Sequence, residues 1–269
     1  MWNKDVPKLS EHERYLIQIK KENIKVHVSR ISILISFFCL WELAATLSWI
    51  DPFITSQPTA IFDTLVQLSA NGELYRHLVI TIGETIVGFT LGTVIGTLIA
   101  VMLWWSPFIS KVMDPYIVVL NSLPKVALGP IIIVWVGAGF AAVITMTLLI
   151  SGIITIINVY GGFHEVDQEK IILVRSFGAT KKQVLQKVIL PASFPNIINA
   201  LKINVGLSWV GVIMGEFLVS KAGLGYLIVY GSQVFKLNLV MTSVLVLAVA
   251  SVGMYLGVAY LERKIIRHL

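Results

Sequence analysis

Six apolar stretches, separated by short polar segments, organise the chain: Ile31 to Ile50, Leu78 to Trp105, Val112 to Val136, Phe140 to Tyr160, Phe194 to Val219 and Val240 to Leu261. Each is close to or above the roughly 20 residues an α-helix needs to cross a bilayer. Backbone amides in hydrocarbon must find their partners inside the segment, so the pattern predicts an all-α membrane protein with about six spanning helices. One polar interruption stands out. Between Gly161 and Pro195 the sequence becomes charged and helix-prone, with amphipathic segments of its own. A loop of that length at a membrane face suggests a docking surface for a soluble partner.

Shorter signals fill the gaps. Asp51-Pro52 and Ser56-Gln57-Pro58 are turn chemistry, and Pro58-Thr59-Ala60 opens a short amphipathic helix to Leu68. Lys221 to Ile228 is a glycine turn leading into an apolar run through Phe235, too short for a further crossing and read as an external or re-entrant helix. Residues 1–30 mix charge with Leu16, Ile17, Ile19, Ile24 and Val26, which fits a short helix on the inner membrane surface or a solvated tail. The resulting division is a tail over 1–30, a first span with its external loop over 31–77, a membrane core over 78–262 containing the polar loop 165–190, and a tail over 263–269.

Composition agrees. Of 269 residues, 13% are charged, about half the usual share for a soluble domain, and no polar stretch is long enough for one. The net charge of +6 raises nucleic acid as a partner, but the basic residues segregate by loop. Lys4, Lys8, Arg14, Lys20, Lys21, Lys25 and Arg30 precede the first span; Lys111 follows the second; Lys170, Arg175, Lys181, Lys182 and Lys187 follow the fourth; Arg263, Lys264 and Arg267 follow the last. The other side carries Arg76, Lys221 and Lys236. The positive-inside rule then places both termini and the 165–190 loop in the cytoplasm of a multi-pass cell-membrane protein, and nucleic acid drops out.

The first apolar segment follows a long polar run, contains Glu42 and lacks a small-residue cleavage site, so it reads as a retained span. Cys39 is the single cysteine and suits packing; it rules out a disulfide framework. His12, His27, His77, His164 and His268 lie scattered without metal-ligand spacing, and no glycine-rich loop ends in Gly-Lys-Ser/Thr. No enzyme, metal or cofactor is expected.

Two features bear on transport. Asn121-Ser122-Leu123-Pro124-Lys125 and Gly129-Pro130 interrupt the third span, and broken helices are tolerated in membranes where protein or a water-filled cavity satisfies the freed groups. Lys125 lies on the order of 20 Å from the cytoplasmic start of that span, and Glu42 about 17 Å from the inner end of the first. A buried lysine needs a partner or water, so Lys125 either pairs with Glu42 or attracts an anionic solute. Glu84 and Glu216 sit nearer the outer boundary. Separately, Gly88, Gly92 and Gly96 line one helix face at four-residue spacing, which suits close helix packing, with pore lining as the alternative.

Within the long loop, Ile172-Leu173-Val174-Arg175-Ser176-Phe177-Gly178-Ala179-Thr180, followed by Val188-Ile189-Leu190-Pro191, resembles the Glu-Ala-Ala (EAA) signature of membrane permeases of ATP-binding cassette (ABC) importers. The spacing from Gly178 to Leu190-Pro191 matches without a gap. Gly178 permits a sharp bend between two short helices, and Pro191 is expected to end the second where the chain returns to the membrane. One departure is that Ile172, Leu173 and Val174 occupy the Glu-Ala-Ala positions. In related permeases that glutamate helps hold the ATPase subunit, so the contact is absent here or displaced, with Glu169 one turn earlier as the replacement. Asn121 to Pro130, Val134-Trp135-Val136-Gly137, Ser208-Trp209, Glu216 and Gly223-Leu224-Gly225 are similar to the nitrate/sulfonate/taurine-type permease family. The likeness runs from roughly Pro58 to the C-terminus.

The resemblance implies a type I ABC importer (MetI-like) permease fold with cytoplasmic coupling helices. It implies a homodimer, two copies of a separate ATPase subunit, and an extracytoplasmic substrate-binding protein. The docking loop would use Glu169, Arg175, Ser176, Phe177, Gly178, Ala179, Thr180, Leu190 and Pro191. Candidates for the translocation pathway are Glu42, Asn121, Ser122, Lys125, Trp209 and Glu216. The implied solute is a small anion such as sulfonate, taurine or nitrate; the alternatives are a thiamine-precursor pyrimidine or other small solute, or an ion-gradient-driven secondary transporter.

Overall fold

The computed structural model describes residues 11–266, so Lys4, Lys8, Arg267 and His268 lie outside the described residues. Among those residues every regular element is helical. Five helices are long and apolar enough to cross a membrane, and a bent pair is either a broken sixth span or a re-entrant loop. The chain divides into two units, Met1–Asp63 and Thr64–Leu269.

The first unit is dominated by α1, Glu11–Thr46. The sequence reading split this stretch into a tail and a span beginning at Ile31 and reaching Ile50. The structure joins them: no glycine or proline lies between Glu11 and Thr46 to break the helix, so the charged run continues into the membrane segment. Asp51 then caps the single turn α2, Pro52–Thr55, accepting a hydrogen bond from the Phe53 N–H at 2.9 Å. Helix α3, Pro58–Ala70, crosses the boundary between the units.

The second unit contains α4, Glu73–Trp105; α5, Pro107–Ser122; α6, Gly129–Val136; α7, Phe140–Thr147; and α8, Ile153–His164. These are followed by α9, Gln168–Ser176; α10, Lys181–Val184; α11, Leu190–Val219; α12, Leu224–Gln233; and α13, Leu237–Ile266. A π-turn over Leu148–Gly152 joins α7 and α8 into one span, Phe140–His164. The third apolar stretch is broken: α5 and the segment Lys125–Val136 meet at 88°.

Small residues set the packing. A Cβ added at Gly88, Gly92 or Gly96 of α4 would come within 2.5 Å of Thr147, 2.7 Å of Ser151 and 2.8 Å of Thr155 respectively. The hydroxyls of Thr147, Ser151 and Thr155 donate to carbonyls one turn earlier in their own helix, at 2.8, 2.8 and 2.9 Å. The facing stripe is therefore internally satisfied and packs like an apolar surface. On the other side of α7, a Cβ at Gly211 or Gly215 of α11 would lie 2.6 Å from the Thr147 Cα and 2.8 Å from the Val143 Cα. Backbone approaches backbone there, and α7 is gripped between α4 and α11.

Pro191 does not end a helix. The stretch Lys181–Val219 is continuous, because a π-turn over Leu185–Ile189 precedes Pro191, which sits in the first turn of α11. Widening the turn lets the Leu190 N–H reach the Leu185 carbonyl and accommodates a residue that has no N–H of its own.

Candidate functional site

The 165–190 loop is anchored on one face and open on the other. Asp167 starts α9 by accepting from the Glu169 N–H at 2.9 Å. Helix α9 ends at Ser176, and the turn that follows passes through Gly178, whose φ of +82° is a left-handed conformation suited to glycine. The N–H groups of Gly178 and Ala179 close the turn onto the Arg175 and Val174 carbonyls at 2.9 and 3.3 Å. Thr180 then opens α10 with a capping box shared with Gln183. Beneath the loop, Ile171, Val184 and Ile189 join a core with Ala100, Val159 and Phe163. Lys181 fastens it further: its Nζ donates to the Trp105 carbonyl at 2.6 Å and lies 5.8 and 5.7 Å from the Trp104 and Trp105 rings.

The outer face is apolar where a solvated loop would be polar. Phe177 is 83% exposed, and Ile172 and Leu173 are 65% and 57% exposed. Glu169, Lys170, Arg175 and Ser176 surround them and are exposed too. An apolar centre with a charged rim has the composition of an interaction surface.

The break in the third apolar stretch lines a cleft. Asn121 and Ser122 share a cavity of about 400 Å³ with Ser110, Asp114 and Tyr160, between α5 and α8. Ser110 and Tyr160 are hydrogen-bonded through their hydroxyls. A smaller cavity of about 220 Å³ shares Ile157 and Gly161 with the first and is lined by Asn158, Glu165, Asn196 and Asn199. Asn196 donates to Glu165 at 2.5 Å.

Other pathway candidates are placed differently. Glu42 and Lys125 each have a partner close by in their own unit. Glu42 accepts from the Thr59 N–H and hydroxyl at 3.1 and 2.9 Å, capping the start of α3, while Lys125 donates to the Asn121 carbonyl at 2.9 Å. Trp209 and Glu216 are 4% and 1% exposed, so both lie in the packed interior of the second unit.

Glu216 belongs to the opposite end of α11 from the loop, about 39 Å from Leu190 along the helix. There it helps to cap α12. The N–H groups that begin a helix lack intrahelical partners, and here side chains of α4 and α11 supply them. His77 Nδ1 accepts from Gly223 at 2.9 Å, Thr81 Oγ1 from Leu224 at 2.7 Å, and Glu216 Oε2 from Gly225 at 2.5 Å. Thr81 Oγ1 also donates to Glu216 Oε1 at 2.6 Å. Sequence reasoning passed over His77 and Thr81, although His77, Thr81, Glu84 and Thr85 form a polar stripe at helical spacing in an otherwise apolar helix. A Cβ at Gly223 would sit 2.3 Å from the Glu216 carboxyl, at a φ of +114°. Gly223→Ala is therefore expected to destabilise the protein by about 2 kcal/mol or more, seen as a drop of at least ~4 °C in the thermal unfolding of purified protein. An unchanged transition would show that the cap tolerates displacement.

A helical membrane bundle with a broken span, a small-residue core and an anchored loop offering an apolar face is consistent with the membrane transport subunit that the sequence resemblance implies. Residues 92–267 match the family of binding-protein-dependent transport system inner membrane components, and the chain belongs to that family. It is thus an ABC importer permease, a transport subunit with no enzyme among its named relatives. One relative, assigned to aliphatic sulfonate transport in Bacillus subtilis, is 29% identical over 85% of this chain and 83% of its own. The formylaminopyrimidine transport permease of Halalkalibacterium halodurans is 27% identical, with 70% and 74% covered. The taurine transport permease of Escherichia coli is 24% identical, with 84% of each covered. Among solved structures, an ABC transporter for the acidic polysaccharide alginate superposes with a TM-score of 0.65 at 15% identity, covering 94% of this chain and 99% of that one. The MetNI methionine transporter, inward facing, gives 0.58 at 23% identity, covering 70% and 92%. These establish a type I, MetI-like permease fold.

Proposed function

We propose that two copies of this chain form the translocation pathway of an ATP-driven importer, each docking one separate ATPase subunit through the loop 165–190. The observation that carries this is Phe177, which projects from a loop otherwise anchored into the core. Both termini and the loop face the cytoplasm, as the distribution of basic residues implies. The permease core is 78–262, and an extracytoplasmic binding protein delivers the solute to the other face. Nucleotide binding acts by favouring one packing of the bundle over another.

The docking surface differs in chemistry from the EAA signature. Ile172 stands where that signature has its glutamate, and it is exposed beside Leu173 and Phe177. Docking here is apolar at its centre, with Glu169 and Arg175 at the rim. The pathway runs along Asn121, Ser122 and Lys125, at the break between α5 and the segment that follows.

The solute is a small anion of the sulfonate, taurine or nitrate type, a reading supported by the sulfonate and taurine relatives. A thiamine-precursor pyrimidine is the second reading. It is favoured by the lining of the two cavities, where Asp114 and Glu165 are the charged groups and neither lysine nor arginine is present.

Purification of the tagged protein in mild detergent, with co-purifying proteins identified and counted by mass spectrometry, tests the assembly. An ATPase subunit in equal amount is expected, and Phe177→Asp should lower its recovery at least tenfold while the permease itself remains in the membrane. A chain that purifies alone, and whose vesicles accumulate solute on an ion gradient without ATP, would replace this reading with a secondary transporter.

A further inference from the structure

At the α12 end of the bundle two acids remain that neither the loop nor the cavities use. Glu84 of α4 and Glu216 of α11 are 6% and 1% exposed. Among the described residues the ion pair formed is Lys202 with Glu262, so no basic side chain neutralises either acid. Thr81 holds Glu216 Oε1 at 2.6 Å, and Glu84, one turn further along the same face of α4, brings its carboxyl up against that of Glu216.

That contact requires a hydrogen. Two ionised carboxylates have none to offer, and in a dry interior their repulsion has no compensation. Thr81 cannot supply it, since the acceptors within reach of its hydroxyl are Glu216 Oε1 at 2.6 Å and the His77 carbonyl at 3.2 Å, and its oxygen accepts from the Leu224 N–H. A metal ion is a poor bridge: no group of three or more His, Cys, Asp or Glu suited to one occurs among the described residues. Two carboxyls and a hydroxyl also fall short of the six or so oxygens a hard cation takes.

The remaining oxygens tell the two acids apart. Glu216 accepts from the Thr81 hydroxyl and from the Gly225 N–H, an environment suited to a carboxylate. Glu84 Oε2 is buried without any partner. An unpaired oxygen costs far less on a neutral acid than on an ionised one.

We propose that Glu84 and Glu216 form a one-proton site, in which Glu84 keeps the proton and donates it to the Glu216 carboxylate that caps α12. The proton thereby fastens α12 to α4 and α11 together. Glu84 is a positioning residue: it acts on α12 through Glu216. The site is independent of what the transporter carries.

Infrared difference spectroscopy of the full chain in lipid nanodiscs at neutral pH tests this directly. A carbonyl band of a protonated carboxylic acid, sensitive to deuterium exchange, is expected in the wild type and lost in Glu84→Gln. Thermal unfolding gives a second readout. Glu84→Gln keeps a donor through its amide and should stay within about 2 °C of wild type, whereas Glu84→Ala should fall by about 5 °C or more. Absence of the acid band from the wild-type-minus-variant spectrum would overturn the proposal. So would a Glu84→Gln variant as unstable as Glu84→Ala, or an Ala variant as stable as wild type.

Discussion

Replacing Gly178 with valine is expected to lower ATP-driven uptake at least tenfold while the protein still inserts and accumulates. Two structural facts separate these effects. A Cβ at Gly178 would meet nothing within 4 Å, so the fold has room for a side chain. The φ of +82°, however, is one that a β-branched residue adopts only under strain of about 1–2 kcal/mol. Strain of that size does not unfold a membrane bundle, but it is released by the two-bond turn that holds Gly178 and Ala179 to Arg175 and Val174. Because α10 is tied through Lys181 to the end of α4, α9 is the part that moves, and Phe177, the residue before the glycine, moves with it. ATP hydrolysis measured beside uptake in proteoliposomes should show turnover persisting with little transport. Gly178→Asn is the control, since asparagine visits the left-handed region more readily, and it should retain more uptake than valine. A valine variant that transports at the wild-type rate would remove the loop from the coupling argument.

How far the sequence could be read depended on the range of the interaction. The spans, the Gly178 bend and the broken third stretch follow from local chemistry, namely apolar length, one left-handed glycine and prolines at fixed positions. The continuous α1 was missed because polarity changes at Arg30 while helix propensity does not. Pro191 misled because proline was read as a stop signal, and a π-turn offers the backbone another way through. The partners of Gly88, Gly92 and Gly96 lie some 60 residues away in Thr147, Ser151 and Thr155, and only the superposed helices reveal that two four-residue periods meet. Trp209 and Glu216 are pathway candidates through the family resemblance, which says nothing of their burial. The rotation of α11 about its axis, which turns them inward, has no local signature. The same holds for the cap on α12, where donors and acceptors come from α4 and α11.

The largest effect on stability is expected at the grip on α7. Substitutions of glycine at helix contacts differ according to what the new Cβ strikes. At Gly129 it would meet the tip of Leu218, Cδ1, at 2.2 Å, and a leucine terminus can rotate away. At Gly88 it would meet the Thr147 side chain, which has less freedom but some. At Gly211 the obstacle is the Thr147 Cα at 2.6 Å, and at Gly215 the Val143 Cα at 2.8 Å. Backbone cannot swing aside, so the helices themselves must part. Because α4 presses on the opposite face of Thr147 through Gly88, α7 has nowhere to retreat. Overpacking of this kind costs about 1–3 kcal/mol and occasionally more, and Gly211→Ala should lie at the upper end. That corresponds to a drop of roughly 6–12 °C in the unfolding transition of the purified chain. Gly211→Leu should fail to accumulate as a monodisperse species, whereas Gly129→Ala should stay within about 3 °C of wild type. The order is the test, because generic loss of glycine flexibility would affect all the helical positions alike. If Gly129→Ala proved as damaging as Gly211→Ala, the backbone contact between α7 and α11 would not be what sets their spacing.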